Sequence, residues 1–171
     1  GYKQVADRII RCHKNGGHGS ETFLKGVQNS CNPVFMETGL RVGSTKFVEY
    51  FKAFGLTQKT GIELIGESNS IYYHHALSET DLATSSFGQG FQITPLQLIT
   101  AVSAVINGGN LMKPQIVREI RDENGVVKSF QPQIVNKVIS EQTSKLMREI
   151  LETVVSSPNG GGKNAYIKGY R

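Results

Sequence analysis

Glu21-Thr22-Phe23-Leu24-Lys25-Gly26-Val27-Gln28-Asn29-Ser30-Cys31-Asn32-Pro33-Val34-Phe35 reads as one helix ending and another beginning within a few residues. Ser20 is placed to cap a first helix over about Glu21–Gln28, which stops just before Ser30. A proline in the first turn of a helix gives up no hydrogen bond, because its amide would have had no partner there. Cys31-Asn32-Pro33 therefore opens a second helix, with Val34, Phe35 and Leu40 on its apolar side. Ser30 falls at the bend between the two.

Outward from this junction the pattern alternates. Phe47, Tyr50, Phe51 and Phe54 recur on one face of a helix over Ser44–Phe54, and Gly55 ends it. Gly61–Gly66 reads as a short extended piece and Ile71–Leu77 as a loop. Thr94-Pro95 starts a helix that runs through Leu98, Ile99, Val102, Val105 and Ile106 to Gly108-Gly109, and its apolar character predicts burial. Ile116–Ile120 and Val126–Phe130 flank Asp122-Glu123-Asn124-Gly125, a hairpin signal. A last helix, Ser140 to about Val155, puts Leu146, Ile150, Leu151 and Val154 on one side. Helices alternating with a hairpin predict a mixed α and β (α+β) fold, mostly helical, as a single domain over residues 1–171.

The 171 residues are 38% hydrophobic, enough to bury a core. The +5 charge is scattered singly, without like-charge blocks or interleaved aromatics, so nucleic-acid binding is not expected. No apolar run reaches the ~18 residues of a membrane span, and the first residues lack a secretion-signal layout. Any membrane anchor is expected outside this stretch.

Ser30-Cys31-Asn32 on its own is a short pattern that caps helices. Some fifty residues later comes Ala83-Thr84-Ser85-Ser86-Phe87-Gly88-Gln89-Gly90-Phe91-Gln92-Ile93-Thr94-Pro95-Leu96-Gln97-Leu98, and between the two lie Phe54-Gly55-Leu56 and Thr60-Gly61-Ile62-Glu63-Leu64-Ile65-Gly66-Glu67. In this order, from about Thr22 to Gly109, the segments resemble class B penicillin-binding proteins. The resemblance implies the penicillin-binding (β-lactamase/transpeptidase-like) fold. It also implies acyl transfer: a Ser-x-x-Lys serine attacks the D-alanyl-D-alanine carbonyl of a peptidoglycan stem peptide, and an amine from a second stem peptide completes the cross-link. By the match, Ser30 relays a proton toward the leaving nitrogen and Asn32 bonds the substrate amide and the motif's lysine. β-Lactams are then ligands, no cofactor is needed for the chemistry, and the parent sits on the extracytoplasmic face of the cell membrane.

No lysine in the sequence has a serine three residues before it, so the Ser-x-x-Lys nucleophile is absent. Lys59-Thr60-Gly61 spells the family's third motif, but that motif should follow the whole helical part on a sheet strand, whereas this copy sits between Leu56 and Ile62 and reads as a decoy. The genuine copy in relatives follows a segment like Ala165–Arg171. Both ends therefore read as cut within the domain. The piece alone is expected to be inactive, to need the remainder of the transpeptidase domain as partner, and to have poor independent stability, since absent strands would leave apolar faces bare. The alternative is a catalytically dead module that docks stem peptides or partners of the wall machinery.

Cys12, His13, His18 and Cys31 form a second constellation, with a loop through Asn15, Gly16, Gly17 and Gly19 able to fold the first three toward the fourth. Thiols with imidazoles suit Zn²⁺, and four protein donors would make a structural site that braces Ser30 and Asn32. A Cys12–Cys31 disulfide and two unrelated buried thiols are the other arrangements that fit. His74 and His75 read as a surface loop, because neighbours on an extended chain face opposite ways. Phe87-Gly88-Gln89-Gly90 lacks the lysine of a phosphate loop, and the resemblance implies a loop that packs against the active-site helices.

Overall fold

The computed structural model describes residues 1–72 and 77–170, so His74 and His75 lie outside the described residues. In chain order the elements are β1 (Tyr2–Val5), β2 (Arg8–Arg11), α1 (Phe23–Gln28), α2 (Asn32–Val42), α3 (Ser44–Ala53), α4 (Glu79–Ser86), α5 (Pro95–Ile106), β3 (Asn110–Met112), β4 (Glu119–Asp122), β5 (Gly125–Ser129), β6 (Ile134–Lys137) and α6 (Glu141–Ser156). Two compact units result: Gly1–Glu49 with Tyr72–Phe91 and Lys145–Arg171, and Tyr50–Ile71 with Gln92–Ser144.

In the first unit β1 and β2 form an antiparallel hairpin with Tyr2 opposite Arg11. Its turn places Ala6 at φ 51°. Alanine is not a turn signal, which is why the hairpin escapes a reading by turn residues. Val5, Met36 and Ala83 make the core, with Ile10, Leu40 and Phe87 packed around them. α2 lies close on α4. A Cβ on Gly39 would sit 1.7 Å from Ser86 Oγ, an atom anchored by its 2.7 Å bond to the Leu82 carbonyl. α4, absent from the sequence expectations, begins with a capping box between Ser78 and Asp81. That start is legible, but Thr84-Ser85-Ser86 dilutes the apolar stripe that would extend it.

One helix start near the junction differs from expectation. α1 begins at Phe23, and its cap is Thr22, whose hydroxyl accepts the Lys25 amide, rather than Ser20. The Glu21 carboxylate instead turns back to accept from the Asn29 side chain, which keeps residue 21 out of the helix. α2 starts as expected, with Cys31 at its cap position and proline in its first turn.

In the second unit α5 has the Thr94–Gln97 capping box. Ser144 is fully buried; it accepts the Gly108 amide at 2.9 Å and donates to the Val105 carbonyl at 2.7 Å, fixing the start of α6 against the end of α5. β3 pairs with β6, and β4 with β5 as the anticipated hairpin. The burial expected of α5 is only partial. Gln97, Ala101 and Ala104 are buried, whereas Ile99 is 63% and Leu98 52% exposed, since a helix apolar all round hides only the stripe that meets its neighbours. Residues 61–66 form no strand; the Thr60 and Gly61 amides go to the Glu67 carboxylate instead. Among the described residues no helix is long and apolar enough to cross a membrane.

Candidate functional site

Ser30 occupies an unusual backbone position. The Cys31 amide donates to the Gly26 carbonyl at 2.8 Å and the Ser30 amide to the Val27 carbonyl at 3.1 Å. These two bonds close the end of α1 in a Schellman motif, whose left-handed residue is usually glycine. Here it is Ser30, at φ 50°. A side chain in that region costs on the order of 1–2 kcal/mol, which a glycine would avoid. The Ser30 residue is exposed.

Asn32, one residue into α2, is held from the other side, its Nδ2 donating to the Arg11 carbonyl at 3.2 Å. Gly161 N–H caps the Gln28 carbonyl at 2.8 Å, so the glycine run near residue 160 closes over the end of α1. Helix end, hairpin end and C-terminal loop thus converge on the Ser30–Asn32 bend, all within the first unit.

Beneath the bend lie the thiols. Cys12 follows β2 and donates its amide to the Gly1 carbonyl at 2.9 Å. Gly17, at φ 81°, passes so near Gly1 that a Cβ would meet its nitrogen at 2.2 Å, and this tight return brings His18 back over Cys12. Cys12 Sγ and His18 Nδ1 are 3.3 Å apart, and the donor atoms of Cys12, His18 and Cys31 all lie within 4.8 Å of one another. His13, the fourth residue of the expected set, is not in that group. Its residue is exposed, and its Nδ1 stands 3.8 Å from Cys12 Sγ.

Glu21, which the sequence placed only at the start of the first helix, also lies outside that group of three but is buried beside it. Its Oε2 is 3.9 Å from His18 Nδ1, and the two side chains are only 8% (His18) and 6% (Glu21) exposed. No hydrogen bond reaches that oxygen among the described residues. Burial first, and then the nearby Glu21 carboxyl and Cys12, push the Cys31 thiol up to about 11 against a lowering bond from the Val34 amide. Both cysteines are free. A cleft lined by Cys12, His18, Glu21, Cys31 and Val34 gives access to the cluster.

Lys59-Thr60-Gly61 has a different fate. Thr60 donates its amide and its hydroxyl to Glu67 Oε1, both at 2.7 Å, and Gly61 its amide to Oε2 at 3.1 Å. Desolvation pushes the Glu67 carboxyl up, but the Thr60 and Gly61 hydrogen bonds together outweigh it and hold the group below its ordinary value. The segment is a stapled loop, off any strand.

Comparison with known proteins bears on this geometry. The sequence model of a family described as the penicillin binding protein transpeptidase domain matches residues 1–171. The chain is 46% identical over 174 residues to stage V sporulation protein D of Bacillus subtilis, covering 100% of this chain and 27% of that protein. It is 33% identical over 154 residues to peptidoglycan D,D-transpeptidase FtsI of Escherichia coli, covering 89% of this chain and 24% of FtsI. It therefore spans about a quarter of the length of these relatives. The crystal structure of penicillin-binding protein 3 from Mycobacterium tuberculosis complexed with aztreonam superposes with a TM-score of 0.87 at 26% identity, over 100% of this chain and 40% of that one.

Proposed function

The chain belongs to the penicillin-binding protein transpeptidase domain family, in its class B branch, and from that premise we propose that it supplies the Ser-x-Asn element of a peptidoglycan D,D-transpeptidase. The observation that carries the reading is Ser30 in a glycine's conformation: a strained residue persists where its side chain is needed. The nucleophile belongs to a longer protein carrying this stretch. Its hydroxyl attacks the penultimate D-alanine carbonyl, the peptide C–N bond breaks, and the terminal D-alanine leaves once its nitrogen has gained a proton. Ser30 passes that proton, and its exposed hydroxyl at a fixed bend suits the task. Asn32, pinned to Arg11, orients the stem-peptide amide.

β-Lactams enter as mimics of the same peptide, and the active site faces the outside of the cell membrane. The higher identity to stage V sporulation protein D than to FtsI favours a sporulation role over a division role. Nucleic acid has no part in this reading. The test is acylation: the longer protein, incubated with fluorescent penicillin, should label with one equivalent and cross-link stem peptides. Absence of labelling with stem-peptide binding retained would replace the enzyme by a docking module.

A further inference from the structure

We propose that Cys12, His18, Cys31 and Glu21 form a four-donor binding site for a divalent metal of the zinc type, seated directly under the Ser30–Asn32 bend. Three observations converge on it. The donor atoms of Cys12, His18 and Cys31 lie within 4.8 Å of one another. Zinc bonds of ~2.0–2.3 Å in a tetrahedron place neighbouring donors ~3.3–3.8 Å apart, and the 3.3 Å from Cys12 Sγ to His18 Nδ1 already matches. Independently, Glu21 Oε2 is buried with no hydrogen bond among the described residues, and it points at His18 Nδ1 from 3.9 Å. A buried carboxyl oxygen without a partner is costly, and a metal is the partner that this position lacks.

The donor set selects the metal. Two sulfurs, one imidazole nitrogen and one carboxyl oxygen are too soft for Mg²⁺ or Ca²⁺ and suit tetrahedral Zn²⁺. Four protein donors leave no open position for a reacting water, so the site is structural. Binding displaces the thiol protons, which makes it weaken in acid.

The placement gives the metal a task. Cys31 is the middle residue of Ser-x-Asn and occupies the cap position of α2, while Cys12 follows the hairpin whose Arg11 carbonyl holds Asn32. One ion would join the hairpin, the glycine loop and the helix junction. That consequence, but not the site, rests on the transpeptidase reading.

The test starts from the intact protein purified without chelator under reducing conditions, with zinc measured by mass spectrometry. About one equivalent per chain is expected. Titrating metal-free protein with Co²⁺ should give the visible absorption of a tetrahedral site together with thiolate-to-cobalt charge transfer, a readout independent of activity and of any variant. Glu21→Gln should lower zinc affinity by more than the ~10-fold that marks loss of a mere outer-shell partner, while His13→Ala leaves it unchanged. Absence of zinc combined with no cobalt charge transfer would overturn the site, as would recovery of Cys12 and Cys31 as a disulfide that excludes metal under the same reducing conditions. Loss of zinc on His13→Ala with Glu21→Gln unaffected would overturn Glu21 as the fourth donor.

Discussion

Ser30-Cys31-Asn32 and Lys59-Thr60-Gly61 both spell motifs of one catalytic family, yet the chain treats them in opposite ways. At the first, backbone bonds absorb the strain and leave the Ser30 residue exposed. At the second, two amides and a hydroxyl are drawn inward onto Glu67. The difference teaches that a motif's chemistry is decided by where its donors go. Polar groups already paired within a loop are not available to a substrate without first breaking those pairs.

The largest expected effect tests that contrast directly. Ser30→Gly in the longer protein keeps the left-handed bend and relieves its strain, so thermal stability should stay within about 1 kcal/mol of the parent or rise. Turnover should nevertheless fall ~10²–10⁴-fold, the range for a lost proton-transfer group. Thr60→Ala should leave turnover unchanged. A Ser30→Gly protein with full turnover would reduce Ser30 to a helix terminator and erase the distinction between the two segments.

Next in size comes the packing that supports the first segment. Gly39→Ala drives a methyl onto Ser86 Oγ, and that atom cannot retreat without breaking its bond to Leu82. Prising α2 from α4 should cost ~1–3 kcal/mol, read as an earlier melting transition. Gly39→Ala paired with Ser86→Gly should recover part of the loss; no recovery would place the strain elsewhere in the helix pair.

Much of this was legible beforehand, and the exceptions share a cause. The proline at the start of α2, the Thr94-Pro95 start of α5 and the Asp122-Glu123-Asn124-Gly125 hairpin signal encode structure through local chemistry, and those elements form, with β4 beginning at Glu119 rather than Ile116. β1 and β2 were not legible, because they meet through an Ala6 turn that violates local preference. α4 keeps its cap but lacks a stripe. At the site, the cluster of Cys12, His18 and Cys31 could be read from a glycine-rich spacing. Glu21 could not: its burial comes from Asn29 and His18 closing over it, which no spacing announces. The exposure of α5 likewise depends on which neighbours are present, a tertiary fact.

A smaller effect probes the stapled loop. Glu67→Gln removes the charge that gathers Thr60 and Gly61, and should cost ~1 kcal/mol without touching penicillin acylation. The folded carboxyl is held below its ordinary 4.5, so its contribution is full above that value and is lost as pH falls through the folded one. Melts of parent and Glu67→Gln at falling pH should converge in acid. Persistent separation below the carboxylate range would mean that the loop is held by something other than this charge.

The smallest effect belongs to the ion pairs of Glu37 on α2, and solvent is the reason. Glu37 on α2 receives Lys3 Nζ of β1 at 2.6 Å and Arg41 Nε at 2.8 Å. The Lys3 hydrogen bond first, and then that of Arg41, hold its carboxyl below the usual range. The side chain is nevertheless 44% exposed, unlike the buried carboxyl of Glu21. Water screens a pair of this kind to ~0.2–1 kcal/mol. Glu37→Gln should therefore shift stability by no more than that, and the shift should shrink in ~1 M salt, where screening acts within ~3 Å. It should also leave the Ser30 bend intact, because that bend is closed by backbone bonds at Gly26 and Val27 and by Arg11, which hold without any charge on Glu37. A loss of turnover in Glu37→Gln would show instead that hairpin and helix are kept in register by the surface pair.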